Sequence, residues 1–225
     1  QVIGQFQSEE EIRNYPVNLD GNNNRTLLPG DFIYKDVNGD GIINGMDERP
    51  IGYPEGWAPI MSFGGNIGLA WKGIDLNIDL SGGAMQGWRQ NYELANAYHG
   101  NGNSPVYLLE DRWHRADLYD PESEWIPGRY PAIRKGEFSY NNKNSDFWLH
   151  NVRYLRIKNL EVGYSLPAQL LRPIRAQKVR IYANVSNLCS FDNVGKFGVD
   201  PEITAAAAVV YPQQRTFLLG FNITY

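Results

Sequence analysis

The chain has 225 residues, 21 basic and 25 acidic side chains and a formal charge of -4 with no basic block, so nucleic acid is not an expected partner. Its 23 Gly, 13 Pro, 14 Tyr, 9 Phe and 6 Trp describe short strands, many turns and much aromatic surface, in a length common for one all-β domain. Cys189 stands alone, which excludes an internal disulfide and a cysteine zinc site, and no run of about 18 apolar residues exists to form a spanning helix.

In chain order, Gln1-Val2-Ile3-Gly4 opens without a methionine or signal peptide and reads as the C-terminal part of something longer. Pro29-Gly30-Asp31-Phe32-Ile33-Tyr34 reads as extended. The stretch that follows, residues 36–47, has calcium-loop spacing. Asp36, Asn38, Asp40, Asn44 and Asp47 carry side-chain oxygens at positions 1, 3, 5, 9 and 12, Gly41 makes the sharp turn at position 6, and Ile42 offers its carbonyl. Calcium needs several oxygens on one centre, and alternate positions of a tight loop supply them. Asp47 stands where a helix-loop-helix hand usually carries Glu, and no amphipathic helix precedes Asp36. An Asn/Asp/Gly turn that binds nothing is the plain alternative.

Phe63, Gly65, Ile67, Leu69 and Trp71 alternate, and Ile74, Leu76, Ile78 and Leu80 resume with Asp75, Asn77 and Asp79 between them. Lys72-Gly73 is a two-residue hairpin turn. Periodicity lapses over residues 86–146, but Trp88, Tyr92, Trp113 and Trp125 argue for a folded loop. It returns at 147–165, where the apolar phase is odd at Leu155 and Ile157 and even at Leu160, Val162 and Tyr164, a flip that predicts a β-bulge near Asn159. Residues 168–178 form a short connector. Val179, Ile181, Ala183 and Val185 then alternate with Arg180, Tyr182, Asn184 and Ser186. After a loop at 190–213, residues 215–225 place Phe217, Leu219, Phe221, Ile223 and Tyr225 on one face, with Leu218 the exception on the other. That strand has the length of a tilted transmembrane β-strand, about 9 to 11 residues.

With the C-terminus on the periplasmic side, strand parity puts 190–213, 86–146 and the segment before residue 62 outside, and the short connections inside. This asymmetry belongs to outer-membrane barrels. The expected organisation is an external region at 1–61 with the calcium-like loop at 36–47, then barrel strands at about 62–71, 74–85, 147–165, 179–189 and 214–225, with extracellular loops at 86–146 and 190–213.

Taken in order, Pro29-Gly30-Asp31, Tyr34-Lys35-Asp36-Val37-Asn38-Gly39-Asp40-Gly41, Asp111-Arg112-Trp113, Tyr154-Leu155-Arg156-Ile157-Lys158-Asn159-Leu160, Gly163-Tyr164-Ser165-Leu166-Pro167 and Asp200-Pro201-Glu202 resemble the C-terminal region of the SusC/RagA family of TonB-linked outer-membrane importers. The resemblance implies an all-β fold, about five or six strands of a transmembrane antiparallel barrel of about 22. It also implies the outer membrane of a Gram-negative bacterium, contact with outer-membrane lipid, a SusD-like lipoprotein lid, coupling to the TonB complex through a missing N-terminal part, and an oligosaccharide or peptide as cargo.

Trp88, Tyr92, Trp113 and Trp125 are candidates to stack on a solute, with plain loop packing as the other reading. Asp75, Asn77, Asp79, Arg180, Tyr182 and Asn184 are expected to face the lumen, along the solute path or in a polar network. No nucleophile motif or carboxylate pairing supports an enzyme. A secreted calcium-binding β-sandwich that binds glycans is the alternative, and it differs in what covers the odd face of 215–225.

Overall fold

The computed structural model describes residues 1–56, 58–134, 139–202, 211 and 213–225. In chain order the elements are β1 (Val2–Gln5), α1 (Glu9–Asn14), β2 (Phe32–Tyr34), β3 (Met61–Trp71), β4 (Ile74–Arg89), α2 (Val106–Glu110), β5 (His114–Arg115), β6 (Trp125–Ile126), β7 (Leu149–Ser165), α3 (Ala168–Leu171), β8 (Lys178–Asp192) and β9 (Thr216–Thr224). No helix among the described residues is long and apolar enough to cross a membrane. Two compact units emerge, one from residues 1–53 with 87–150, the other from 54–86 with most of 151–225.

The first unit gathers the N-terminal segment and the long central loop, which are distant in sequence, around one core. Phe6, Leu19, Phe32, Tyr34, Leu108, Tyr130, Tyr140 and Trp148 are buried together. The rings meet in edge and tilted contacts: Phe32 lies 6.0 Å from Trp148 and 4.4 Å from Phe147. Each large apolar side chain so buried contributes up to about 1.5–3 kcal/mol. Polar tips are satisfied as they go in. Tyr34 Oη donates to the Tyr140 carbonyl at 2.9 Å, Tyr140 Oη to that of Phe32 at 2.6 Å, and Trp148 Nε1 to that of Asn141 at 2.7 Å. The short helix α1 starts on Ser8, whose hydroxyl accepts the Glu11 amide at 3.1 Å while the Glu11 carboxylate accepts that of Gln7 at 2.7 Å.

Asp31, fully buried, is held by Arg134, by Asn141 Nδ2 at 2.8 Å and by the Leu28 amide at 2.8 Å. Burial pushes its carboxyl above the ordinary carboxylate range, against the pull of the Arg134 guanidinium. Asp20 shows the opposite balance. Burial acts to raise it, but hydrogen bonds from Thr26, Asn22 and Asn24 prevail and hold it low.

The second unit is a single antiparallel sheet in the order β3-β4-β7-β8-β9. Sequence alternation places these strands to within a few residues, and β4 and β8 run further than expected, to Arg89 and Asp192. Lys72 and Gly73, at φ 49 and 86, make a turn that the right-handed twist of the flanking strands favours. One end of the sheet carries only short connections: the Ser165 amide bonds the Gly73 carbonyl at 2.7 Å, and that of Gln177 bonds Thr224 at 2.7 Å. All the long segments leave from the other end.

The phase flip in β7 is present. Leu155 is exposed on the upper half, and Val162 and Tyr164 are exposed on the lower. Ile157 pairs with Cys189 and Asn159 with Ser186, so two steps on β7 face three on β8, where Asn187 adopts φ 53. The irregularity thus costs an extra residue on the facing strand, which the phase of β7 alone did not disclose. Among the described residues the unit that contains this sheet holds no second sheet, and Phe217, Leu219 and Phe221 are 71–84% exposed. The apolar face is therefore not the core of a sandwich.

Candidate functional site

The five strands form a wall whose two faces differ in chemistry. Register fixes which residues share a face: Leu69 pairs with Leu76, Ile67 with Ile78, Leu160 with Val185, and Val185 with Phe217. This side carries Phe63, Ile67, Leu69, Ile74, Leu155, Val162, Ile181, Leu219 and Phe221, all exposed. Trp71, Tyr164 and Tyr225 lie at its short-turn end, and Phe63 and Phe191 lie toward the other. Aromatic residues at both margins of an aliphatic band are the arrangement of a wall in lipid. The nine residues of β9 span about 30 Å. Tilted by about 40°, they rise about 23 Å, close to the apolar band of a barrel.

The opposite face is polar and internally bonded. Asp75, Asn77, Asp79, Arg180, Tyr182 and Asn184 all lie on it, with Asn66, Glu161 and Asn222. Arg180 is its hub. Its Nε donates to Asp75 Oδ1 at 3.0 Å, and its Nη2 reaches both Asp75 and, at 2.7 Å, Glu161 Oε1. Glu161 also accepts from Asn184 Nδ2 at 3.4 Å. To reach β4 from β8 the guanidinium must cross β7, and it crosses at Gly163, where any Cβ would collide with it. The Tyr182 ring likewise lies over Gly220 of β9, and Arg180 sits 5.0 Å above that ring. Asn66 Nδ2 donates to Asn77 and Asp79, each at 2.7 Å. Leu218, paired with Asn184, is the one large apolar side chain of β9 on this face. Glu161 and the two glycines were not singled out from sequence. A glycine inside an alternating strand, which marks a place where a long side chain of the neighbouring strand can cross, was the available signal.

The aromatic residues of the central loop fall into three environments. Trp88 and Trp113 are buried, the first stacked 5.4 Å from His150 and the second packed onto Gly30, so neither offers a ring to a solute. Trp125 is half-buried beneath the Arg115 guanidinium at 4.4 Å. Tyr92 is exposed beside His99. The Trp113–Gly30 contact joins two of the motifs that carry the family resemblance, because only a residue without a side chain at position 30, here at φ 91, leaves room for the indole.

The loop at 36–47 closes on its own backbone. Asp36 accepts the amides of Gly39 at 2.6 Å and Gly41 at 2.8 Å, and Asp40 accepts that of Ile42 at 3.0 Å. Asn38 Nδ2 donates to Asp40 at 2.8 Å, and Asn44 Oδ1 accepts from the Met46 amide at 2.7 Å. Asp47 accepts from Asn44 at 2.8 Å and from Val37 at 2.9 Å, and these bonds hold its carboxyl below the ordinary range. Among the described residues no three His, Cys, Asp or Glu side chains converge as a metal-holding group. In kind the donors still suit a hard cation, since each carboxylate oxygen that accepts one N–H keeps a second lone pair.

No family model matches the chain. It is 27% identical over 210 residues, 88% of its length, to TonB-dependent receptor P3 of Formosa agariphila, of which it covers 19%. Over 99 residues, 42% of its length, it is 33% identical to TonB-dependent receptor SusC of Bacteroides thetaiotaomicron, of which it covers 9%. The RagAB peptide importer in the closed-closed state has the same fold over 86% of the chain and 21% of its own, at a TM-score of 0.57 and 21% identity. In the open-open state the values are 76%, 18%, 0.52 and 20%. The chain spans at most about a fifth of these curated relatives. With its one apolar and one ion-paired face, the chain is similar to part of these TonB-dependent receptors and shares the fold of part of the RagAB importer, as five adjacent antiparallel strands of a β-barrel wall.

Proposed function

We propose that this chain is part of an outer-membrane transporter that imports oligosaccharides or peptides, driven by the TonB complex through a part of the protein outside this chain and capped by a SusD-like surface lipoprotein. The observation that carries the reading is the two-faced wall. An exposed aliphatic band suits outer-membrane lipid, and the Arg180–Asp75–Glu161 hub suits a wet interior. Peptide cargo draws support from the likeness to the RagAB peptide importer, and a lipoprotein lid from what the SusC/RagA resemblance of the sequence motifs implies. The test is uptake of labelled oligosaccharides and peptides by cells that carry the whole receptor, with and without TonB. Uptake of either class that stops without TonB is the expected result. Uptake of neither, or uptake that ignores TonB, overturns the reading.

We also propose that residues 36–47 bind calcium as a structural brace on the outside, through Asp36, Asn38, Asp40, the Ile42 carbonyl, Asn44 and Asp47. The spacing of the donors and their spare lone pairs support it. Calcium should protect the loop from proteolysis, and Asp36→Ala and Asp40→Ala should each remove that protection. Equal cleavage with calcium, with chelator and in both variants would sink the proposal.

A further inference from the structure

The chain that leaves β8 does not continue away from the wall. At its start Asn193 is tied to the beginning of β7: its Oδ1 accepts the Arg153 amide at 3.0 Å, and its Nδ2 donates to the Asn151 carbonyl at 2.8 Å. Asp192 turns the chain there by accepting the amides of Val194 at 3.0 Å and Gly195 at 2.5 Å. A few residues later Asp200 and Glu202 are found further along β7. Arg156 Nη2 binds Asp200 at 2.8 Å, Arg156 Nη1 and Lys158 Nζ bind Glu202 at 2.8 and 2.5 Å, and Ser81 Oγ of β4 donates to Glu202 at 3.0 Å. From residues 151–153 to 156–158 is about five residues, or about 16 Å along a strand. The segment therefore folds back over the wall by that distance.

It folds back on the polar face. Ser81 follows Asp75, Asn77 and Asp79 in phase along β4, and Arg156 and Lys158 lie opposite the exposed Leu155. The bulge near Asn159 makes this possible, for it lets Arg156 and Lys158 above it and Glu161 below it share one face despite their opposite parity. The segment is packed as well as bonded: Val194, Phe197, Val199 and Pro201 are buried, and so is the Arg156 side chain.

We propose that residues 193–202 are an inward-folded strap that narrows the solute path, fastened by a latch of Asp200 and Glu202 on Arg156, Lys158 and Ser81, and that it screens solutes by size. This rests on the transporter reading for its use, though not for its geometry. A buried guanidinium that loses both carboxylates is left without compensation, and each carboxylate binds a separate nitrogen of the one guanidinium, so the latch holds as a unit. Lys158, more exposed, contributes less.

The test uses the whole receptor in intact cells, with Cys189→Ser to remove this chain's own thiol and the labelling of that parent subtracted as background. Val199→Cys reports the strap, and Asn77→Cys reports the wall beneath it. Impermeant maleimides, one small and one carrying a bulky polymer, are the probes. With the latch intact Val199→Cys should label slowly, and Arg156→Gln should speed it at least about tenfold. At Asn77→Cys the small reagent should outpace the bulky one, and Arg156→Gln should shrink that preference. Should Arg156→Gln fail to reach the membrane, Glu202→Gln and Asp200→Asn together make the same test. An unchanged Val199→Cys rate overturns the latch, and an unchanged size preference overturns the narrowing. Labelling needs no uptake, so a strap that responds as expected in a receptor that imports nothing would separate the failure of one reading from that of the other.

Discussion

The two compact units use the same side chains in opposite ways. In the unit built from 1–53 and 87–150, Phe6 and Phe32 are 0% exposed, and even the hydroxyls of Tyr34 and Tyr140 are paired inside. In the wall, Leu219 is 84% exposed and Trp71 67%, while an ion-paired arginine hub occupies the other face. A protein surrounded by water does not leave an apolar patch that size uncovered. The difference teaches that burial is defined by the medium: the first unit excludes water with its own core, and the wall leaves its apolar face uncovered, which the proposed outer-membrane setting would fill with hydrocarbon.

The largest effect that would sharpen this comparison is Phe32→Ala, expected to cost about 3–5 kcal/mol because the cavity would open among rings that cannot collapse into it. Denaturant unfolding of the whole receptor, read by protease resistance at 87–134, checks it. Next, Leu219→Arg should impair assembly into lipid by about 2–4 kcal/mol if the position lies near the bilayer centre. In a water-facing strand the same change would be close to neutral, so normal assembly would break the comparison. Arg180→Met should weaken the wall by about 1–2 kcal/mol, discounted because Asp75 is one-third exposed. Heat-induced unfolding in detergent would reveal it, and Asp75→Asn in addition should cost little more.

The smallest effect is one of pH in the first unit. Asp20 and Asp47 are held below their ordinary range, so their contribution is complete above about pH 4 and fades as pH falls through their folded values. Asp31 has the opposite sign: its carboxyl is raised, so ionisation costs stability as pH climbs through that raised value. Amide protection at 20–26, taken relative to the intrinsic exchange rate at each pH, should therefore fall in acid, and Asp20→Asn should abolish that dependence. Protection independent of pH in the parent would show that the hydrogen bonds to Asp20 carry no linkage.

What was legible in sequence was whatever repeats along the chain. Alternation placed β3, β7 and β9, and a reversal of phase located the bulge. Strand ends were less legible: Gly82, Gly83 and Ala84 interrupt the apolar pattern of β4, yet the backbone ladder carries on to Arg89. Contacts between distant segments were not legible at all. Asn141 of the central loop binds both Asp31 and the Phe32 amide, and no local pattern announces it. The latch was hidden for the same reason, since Arg156 and Asp200 were visible as motifs but not as partners. Trp88 and Trp113 show the converse limit, because an aromatic residue that could stack on a solute looks the same in sequence as one that packs a loop.

The central claim is that the apolar face of the wall meets lipid, and β9 tests it most directly. Single cysteines at 217, 218, 219, 221, 222 and 223 in the whole receptor, each carrying a fluorophore, can be challenged with lipids brominated in their acyl chains; position 220 is left as glycine because the Tyr182 ring occupies that space. Positions 217, 219, 221 and 223 should be quenched while 218 and 222 are spared. Leu218 decides between geometry and mere hydrophobicity, for it is apolar and yet shares the face of Asn184. Quenching at 218 equal to that at 217 and 219, or none at the odd positions, would contradict the account.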